Sequence, residues 1–429
     1  MSSAASRRTV WPFSGSGRRG GLPDGGRPCA IGPRRICAPE ETADPAVRHR
    51  TRRQDVGPDC QRGSSAKVIV LAKGWADSYP PVLTVAHALR RLRKEVTCIC
   101  SGCTEGTRDS LEQAGIRVIE VRREEAPTSI LAKLRHYVGF RIGAWRILDS
   151  EDEDVLLWVA KTDTAMALGR RLRKRRYVLV LYELHDRFPL YQRAIRFYAP
   201  RARRVIVPEA CRAAILRYWH GLARTPFVLP NRPLDHPRQR NLVISDEGAR
   251  KILASVSPGQ KIVLYQGSLA ADRDLIPIAC ALQRAGAPYR FVVMGRDREG
   301  RIGQLRRFCP NLVHIPWVVP PAHLEVTSHA SVGIAAYAYD ALNSIFCAPN
   351  KIWEYTGFGI PMLCQDVPGL RFTVGASGAG VCVSLAVANE IVEGLLRIDR
   401  DYEDYSRRAS EFYESVDTLS LLREAIRGV

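Results

Sequence analysis

The hydrophobic pattern changes sharply near residue 65. Residues 1–64 are rich in Arg, Gly, Pro and Ser, contain no lysine and show no apolar period, so a disordered tail is expected there. From residue 66 onward, short and nearly continuous apolar runs alternate with stretches of helical period. AKVIVLAKG is followed by VLTVAHALRRLRK, EVTCICSG by DSLEQAG, and then comes IRVIEV. Apolar runs of this length without polar alternation are those of parallel strands covered on both faces. The alternation continues through a helical region near 129–147, VLLWVAK, a helix near 164–175, YVLVLYE, RRVIVPEAC, AAILRYWHGL and FVLPN, after which DHPRQRNL is polar and reads as a linker. A second alternating unit opens at KIVLYQG and runs through IPIACALQRAG, RFVVMG, LVHIP, ASVGIAAYA, PMLCQ and GVCVS. The pattern predicts an α/β chain of two Rossmann-like, doubly wound parallel-sheet domains, at residues 65–235 and 236–400. Amphipathic helices at 401–429 are expected to pack on them.

Length and charge narrow the partners. The 429 residues are 46% hydrophobic, enough for two cores, and no run approaches the roughly 18 apolar residues needed to span a bilayer. A soluble, cytoplasmic protein is expected. The formal charge of +20 and pI near 9.7 point to polyanions: nucleic acid, an anionic membrane face or phosphorylated small molecules. The basic run Arg170, Arg171, Arg173, Lys174, Arg175 and Arg176 faces either lipid headgroups or solvent beyond a helix C-terminus. Twelve scattered cysteines fit a reduced chain. Cys98, Cys100 and Cys103 have no second pair nearby and read as strand core rather than zinc ligands.

Candidate chemistry concentrates at strand ends, where open parallel sheets bind their ligands. Gly74 follows the first strand. Glu183, His185 and Asp186 follow YVLVLYE; His185 can bond a substrate hydroxyl with an acidic neighbour orienting it, the alternative being an internally paired loop. Gly267 to Arg273 is a second strand-to-helix loop whose amides and guanidinium suit phosphate. Residues 343–363 combine a helix start at Pro349 and Asn350, the cation Lys351, and Glu354 on the same helix face as Asn350, an arrangement that favours an anion such as a diphosphate. The plain alternative is a solvated lysine and a carboxylate complementing the dipole. Neither GxGxxG nor GxxxxGK[ST] occurs, which argues against an ordinary dinucleotide fold or a P-loop ATPase.

APNKIWEYTGFGIPML is similar to the Pro-x-Lys-hydrophobic-x-Glu-Tyr segment of GT-B glycosyltransferases, the two-Rossmann-domain enzymes with a cleft between the domains, and especially of their family 4 type. YQGSLAADRDL and LYELHD resemble two further stretches, and the likeness in domain order covers about residues 66–420. The resemblance implies a retaining, nucleotide-sugar-dependent transferase. Glu354 would meet the donor ribose, Arg273 and Lys351 the diphosphate, and Trp317 and Val318 the base. Gly267, Ser268 and Asn350 would complete the donor site. His185 would stand by the transferred sugar, with Gly74, Glu183 and Asp186 on the acceptor side. Two positions depart from the family: Phe346 stands where a second Glu is usual, and Ser268 where an Arg is.

Breaking the bond between the anomeric carbon and the diphosphate builds negative charge on the leaving group, which cations stabilise without a metal. No metal or other cofactor is therefore expected. The partners are a nucleotide sugar and a glycan, lipid or metabolite acceptor, with no nucleic acid; peripheral membrane association would fit a lipid-linked acceptor. A sugar-nucleotide epimerase and a non-catalytic binding protein are the competing readings.

Overall fold

The computed structural model describes residues 67–121, 129–270, 273–286 and 288–429; the tail expected at 1–64 lies outside them. Among the described residues thirteen strands build two all-parallel sheets. The first contains β1 (Lys67–Trp75), β2 (Glu95–Gly102), β3 (Arg117–Glu120), β4 (Leu156–Ala160), β5 (Tyr177–Val180), β6 (Arg204–Val207) and β7 (Phe227–Val228), in the order β3-β2-β1-β4-β5-β6-β7. The second contains β8 (Lys261–Gln266), β9 (Tyr289–Met294), β10 (Val313–Ile315), β11 (Val332–Ala335), β12 (Met362–Gln365) and β13 (Gly380–Val383), in the order β10-β9-β8-β11-β12-β13. Both sheets thus run outward in two directions from a central pair, β1 with β4 and β8 with β11. Each pair is a switch point whose following loops diverge and leave a crevice at the strands' carboxyl ends.

The apolar runs are explained by burial on both faces. Val68, Val70 and Ala72 pack with Val82, Val85 and Leu89 of the helix Pro80–Arg91, while Ile69 and Leu71 face Phe140 and Ala165 on the other side. Helix starts follow their local chemistry. Pro80 and Pro81 open the first helix, Ser129 accepts from Ala132 N at 3.1 Å, and Glu209 caps Ala210–His220 by accepting from Cys211 N at 2.7 Å.

Several local expectations change. The helix expected near 164–175 ends at Leu168; Gly169 takes φ +72, and Arg170–Lys174 form a separate short turn. The basic run does not cap that helix, and Arg170, Arg171, Arg173 and Lys174 are exposed. Arg175 donates to Leu148 O and Asp152 O, Arg171 pairs with Asp149 and lies over Trp145, and Arg173 lies over Phe197. The strand expected in FVLPN shortens to Phe227–Val228, with Pro230 lacking the N–H to continue it. Cys98, Cys100 and Cys103 are buried, and Cys103 bonds Glu120 through both its N–H and its thiol.

The helix Tyr402–Glu414 packs on the second domain, where Phe412 stacks on Trp353 with centroids 4.7 Å apart. The chain then returns to the first sheet, and Leu422 and Ala425 of the helix Thr418–Ala425 enter the core around Val85 and Leu89.

Candidate functional site

The carboxyl ends of both sheets face one cavity of about 710 Å³, lined by loops from either domain. Its second-domain wall is built on the helix Asn350–Thr356, which starts where Pro349 takes φ −75 and ψ 145. Lys351 projects from the first turn. Its ammonium lies 4.4 Å from the centre of the Tyr265 ring and 5.9 Å from that of Tyr337, while the Arg273 guanidinium lies 4.1 Å over Tyr337. Burial first, and then repulsion from Arg273, bring the Lys351 pKa from 10.5 down to about 8, with Glu354 opposing.

The room beside that ammonium depends on two glycines. Gly267, at the end of β8, has φ +134, and a Cβ there would stand 3.3 Å from Lys351 Nζ. A Cβ on Gly295 would meet the carbonyl oxygen of Gly267 at 2.0 Å, so the loops after β8 and β9 approach only as glycines.

Glu354 lies one turn below Lys351 with one partner on each carboxylate oxygen. Gln266 Nε2 donates to one carboxylate oxygen, His323 Nε2 is 3.4 Å from the other, and Thr327 Oγ1 donates to Gln266 Oε1 at 2.6 Å. Burial works to raise the Glu354 pKa. The bonds to His323 and Gln266 and the charge of Lys351 outweigh it, so the carboxylate stays ionised. Behind the helix, His236 Nε2 bonds Glu354 O at 3.0 Å and its Nδ1 accepts from Arg238 N. Burial pushes that imidazole down to about 4, consistent with a neutral ring that donates to one side and accepts on the other. Trp317 and Val318 complete this end, Val318 buried and Trp317 half exposed beneath the Arg296 guanidinium.

The first-domain wall carries Glu183 and His185 from the loop after β5. His185 adopts φ +54, uncommon for a side chain with a Cβ, and stacks on Tyr191 with centroids 4.3 Å apart. Burial lowers its pKa against the opposing charges of Glu183 and Asp163, favouring the neutral ring.

Of the residues singled out in the sequence, the cavity brings together Glu183, His185, Gly267, Arg273, Trp317, Val318, Asn350, Lys351 and Glu354. It leaves three out, each for a visible reason. Gly74 N donates to Ser101 Oγ at 3.0 Å, and Tyr79 covers the glycine. Both carboxylate oxygens of Asp186 accept across the domain boundary, from Leu342 N at 2.8 Å and Asn343 N at 3.3 Å. Ser268 is exposed outside the cavity, and its carbonyl accepts from Tyr265 OH at 2.8 Å. Phe346 is also outside the lining, packed against the first domain's core, so apolar packing occupies the position where the family pattern has a carboxylate. The helix has only seven residues, and the strong positive charge near its start comes from Lys351 and Arg273 rather than from a long dipole. Among the described residues no three His, Cys, Asp or Glu side chains gather as a metal site.

Sequence reasoning missed Lys161, Asp163, Tyr79, Arg212, Gln266 and His323, all of which line the cavity. Lys161 directly follows β4, so the strand-end argument that selected Gly74 could have selected it too.

One consequence concerns pH. A diphosphate at Lys351 favours the ammonium, so the Lys351 contribution to its affinity should be constant below pH 8 and fall by up to tenfold per pH unit above it, with proton uptake on binding. Titration calorimetry near pH 9 in two buffers of different ionisation heat would detect that proton. The stability effect has the opposite sense: folding disfavours the buried ammonium, fully below pH 8 and progressively less toward 10.5.

No known sequence family matches this chain, and no curated protein matches it. Its fold is similar to that of Anabaena HepE solved with UDP-glucose, at a TM-score of 0.65 and 13% identity over 83% of this chain and 97% of that one. It is also similar to sucrose-phosphate synthase from Thermosynechococcus elongatus, with a TM-score of 0.62 and 17% identity over 84% and 96% of the two chains. A UDP-N-acetylglucosamine 2-epimerase from Listeria monocytogenes, described as putative by its authors, aligns at a TM-score of 0.54 and 11% identity over 84% and 94%. At these identities the likeness carries the two-domain fold.

Proposed function

We propose that the chain is a glycosyltransferase that moves a sugar from a nucleotide-sugar donor to an acceptor held by the first domain. The observation that carries this reading is the pairing of Lys351 and Arg273 around Tyr337, one helical turn from the ionised Glu354, in a cavity shared by two switch points. The cations receive the diphosphate, Glu354 takes ribose hydroxyls, and the strand-end segment at Trp317 and Val318 takes the base. That HepE is solved with UDP-glucose supports the same assignment.

As the anomeric bond breaks, charge moves onto the diphosphate, and the two cations, held over the Tyr265 and Tyr337 rings, stabilise it. Neutral His185 bonds a hydroxyl of the transferred sugar. We take the reaction to be metal-independent, to retain anomeric configuration and to occur in the cytoplasm, as the family resemblance suggests. Incubation with a panel of nucleotide sugars and a cell-extract acceptor pool should release nucleoside diphosphate only when acceptor is present. Turnover without acceptor would favour the epimerase reading instead.

We also infer docking on an anionic membrane. The helix Ile130–Leu148 exposes Leu131, Leu134, Val138 and Ile142, between 45% and 72% accessible, along one line bordered by Arg135 and Arg146. An apolar stripe with an arginine border complements an interface rich in acidic lipid. Among the described residues no helix is long and apolar enough to cross a membrane. The protein should co-sediment with phosphatidylglycerol vesicles, weakly with phosphatidylcholine, and Val138→Asp should reduce binding several-fold. Equal recovery of wild type and variant in the supernatant would remove this surface from the account.

A further inference from the structure

Lys73 and Lys161 stand at the carboxyl ends of β1 and β4, the two strands of the first switch point, where Ala72 pairs with Ala160. Both ammoniums lie 3.6 Å from the same oxygen, Asp163 Oδ2, and the two lysine side chains are only 12% and 14% exposed. Lys161 Nζ donates to Lys73 O at 3.1 Å and sits 3.3 Å over the Tyr79 ring; Lys73 Nζ sits 4.1 Å over Tyr137. Lys161 holds φ +72, a backbone state uncommon for a residue with a Cβ.

As a purely structural network this cluster is poorly satisfied. At 3.6 Å the ion pairs are longer than the roughly 2.8 Å of a charge-assisted hydrogen bond, and Asp163 Oδ1 is buried with no hydrogen-bond partner among the described residues. Among the described residues Asp163 is the one carboxylate within ion-pair distance of either lysine, so two buried cations share one anion. An uncompensated buried charge is expensive unless a partner arrives. Lys161, Asp163, Tyr79 and Tyr191 all line the cavity on the side opposite Lys351. Burial is the main force lowering the pKa of both lysines, and a bound anion would relieve it.

We propose that this cluster is the seat for a phosphate group carried by the acceptor, with Lys161 in contact, Lys73 behind it and the surrounding phenols as further donors. The inference rests on the transferase reading and names its acceptor class, a phosphorylated sugar or polyol. A lysine pair acts as point charges toward a tetrahedral oxyanion, whereas a planar carboxylate is better matched by an arginine fork. The phosphate belongs either to a soluble metabolite or to a lipid headgroup.

The test is calorimetric titration of inorganic phosphate into protein already saturated with uridine diphosphate. Phosphate should still bind, and Lys161→Met and Lys73→Met should weaken it at least tenfold while leaving uridine diphosphate affinity unchanged. Asp163→Asn, which removes the competing anion, should tighten phosphate several-fold and keeps the test decisive if either lysine variant folds poorly. Glucose 6-phosphate and phosphatidic acid vesicles as competitors separate the metabolite from the lipid. Phosphate binding that vanishes with uridine diphosphate present, or that none of the three variants alters, overturns the proposal. Failure of uridine diphosphate itself to bind would instead count against a uridine donor, and the same titration is then read with the nucleoside diphosphate that does bind; binding of none would count against the donor reading.

Discussion

Lys351→Met is expected to lower the rate of sugar transfer by about 3 kcal/mol, on the order of a hundredfold, while the protein becomes no less stable. The two effects have one cause. The Lys351 ammonium sits between the Tyr265 and Tyr337 rings near a second cation, where burial and Arg273 both disfavour its charge. Removing it relieves that strain in the free protein and withdraws the charge when the diphosphate leaves. Activity held near the wild-type level, or a large drop in unfolding temperature, would show that Lys351 serves the fold instead. Steady-state transfer kinetics and a thermal melt on the same preparation decide the matter.

Arg212→Ala should produce the opposite pattern, a loss of about 3 kcal/mol in stability together with weaker donor binding. The Arg212 side chain is 5% exposed and ties the two domains together: Nε donates to Phe346 O at 2.6 Å, one terminal nitrogen to Asn343 O at 3.0 Å, and the other to Tyr182 O. Asn343 Oδ1 answers from the other side by accepting from Leu184 N at 3.0 Å. Truncation leaves three backbone carbonyls without their donor and frees the segment that leads into the Lys351 helix. A melt that shifts down by several degrees and a raised donor KM are the expected readouts. Arg212→Lys should recover only part of either, because one ammonium cannot serve three diverging carbonyls.

The sequence carried the parts of this picture that depend on local spacing. Apolar runs without alternation marked buried parallel strands, and their spacing by helices marked two units of the same design. Lys351 and Glu354 were legible because three residues on a helix fix their relation in space. Asp186 was misread since loop position says nothing of side-chain direction, and its carboxylate turns toward Leu342 and Asn343. Arg212 was invisible for a similar reason. It lies in the first turn of a helix in an apolar context, and its partners, Tyr182 O in its own domain and Asn343 O and Phe346 O in the second, come from distant parts of the chain. Lys161 and Asp163 share one strand end and Lys73 stands on another, and the two ends meet only after β1 and β4 pair, so no spacing in the chain announces the cluster. Phe346 illustrates a third limit: the sequence marks a lost carboxylate, but the packing against the first domain that occupies its place appears only in the fold.

The central claim is that the second-domain end of the cavity holds the nucleotide of a sugar donor. It is tested most directly by measuring the shift in unfolding temperature across a panel of nucleoside diphosphates and nucleotide sugars, with wild type beside Glu354→Ala. The account predicts stabilisation of the wild type by at least one nucleoside diphosphate and its sugar conjugate, with the shift largely lost in Glu354→Ala. No shift with any compound in the panel would contradict it.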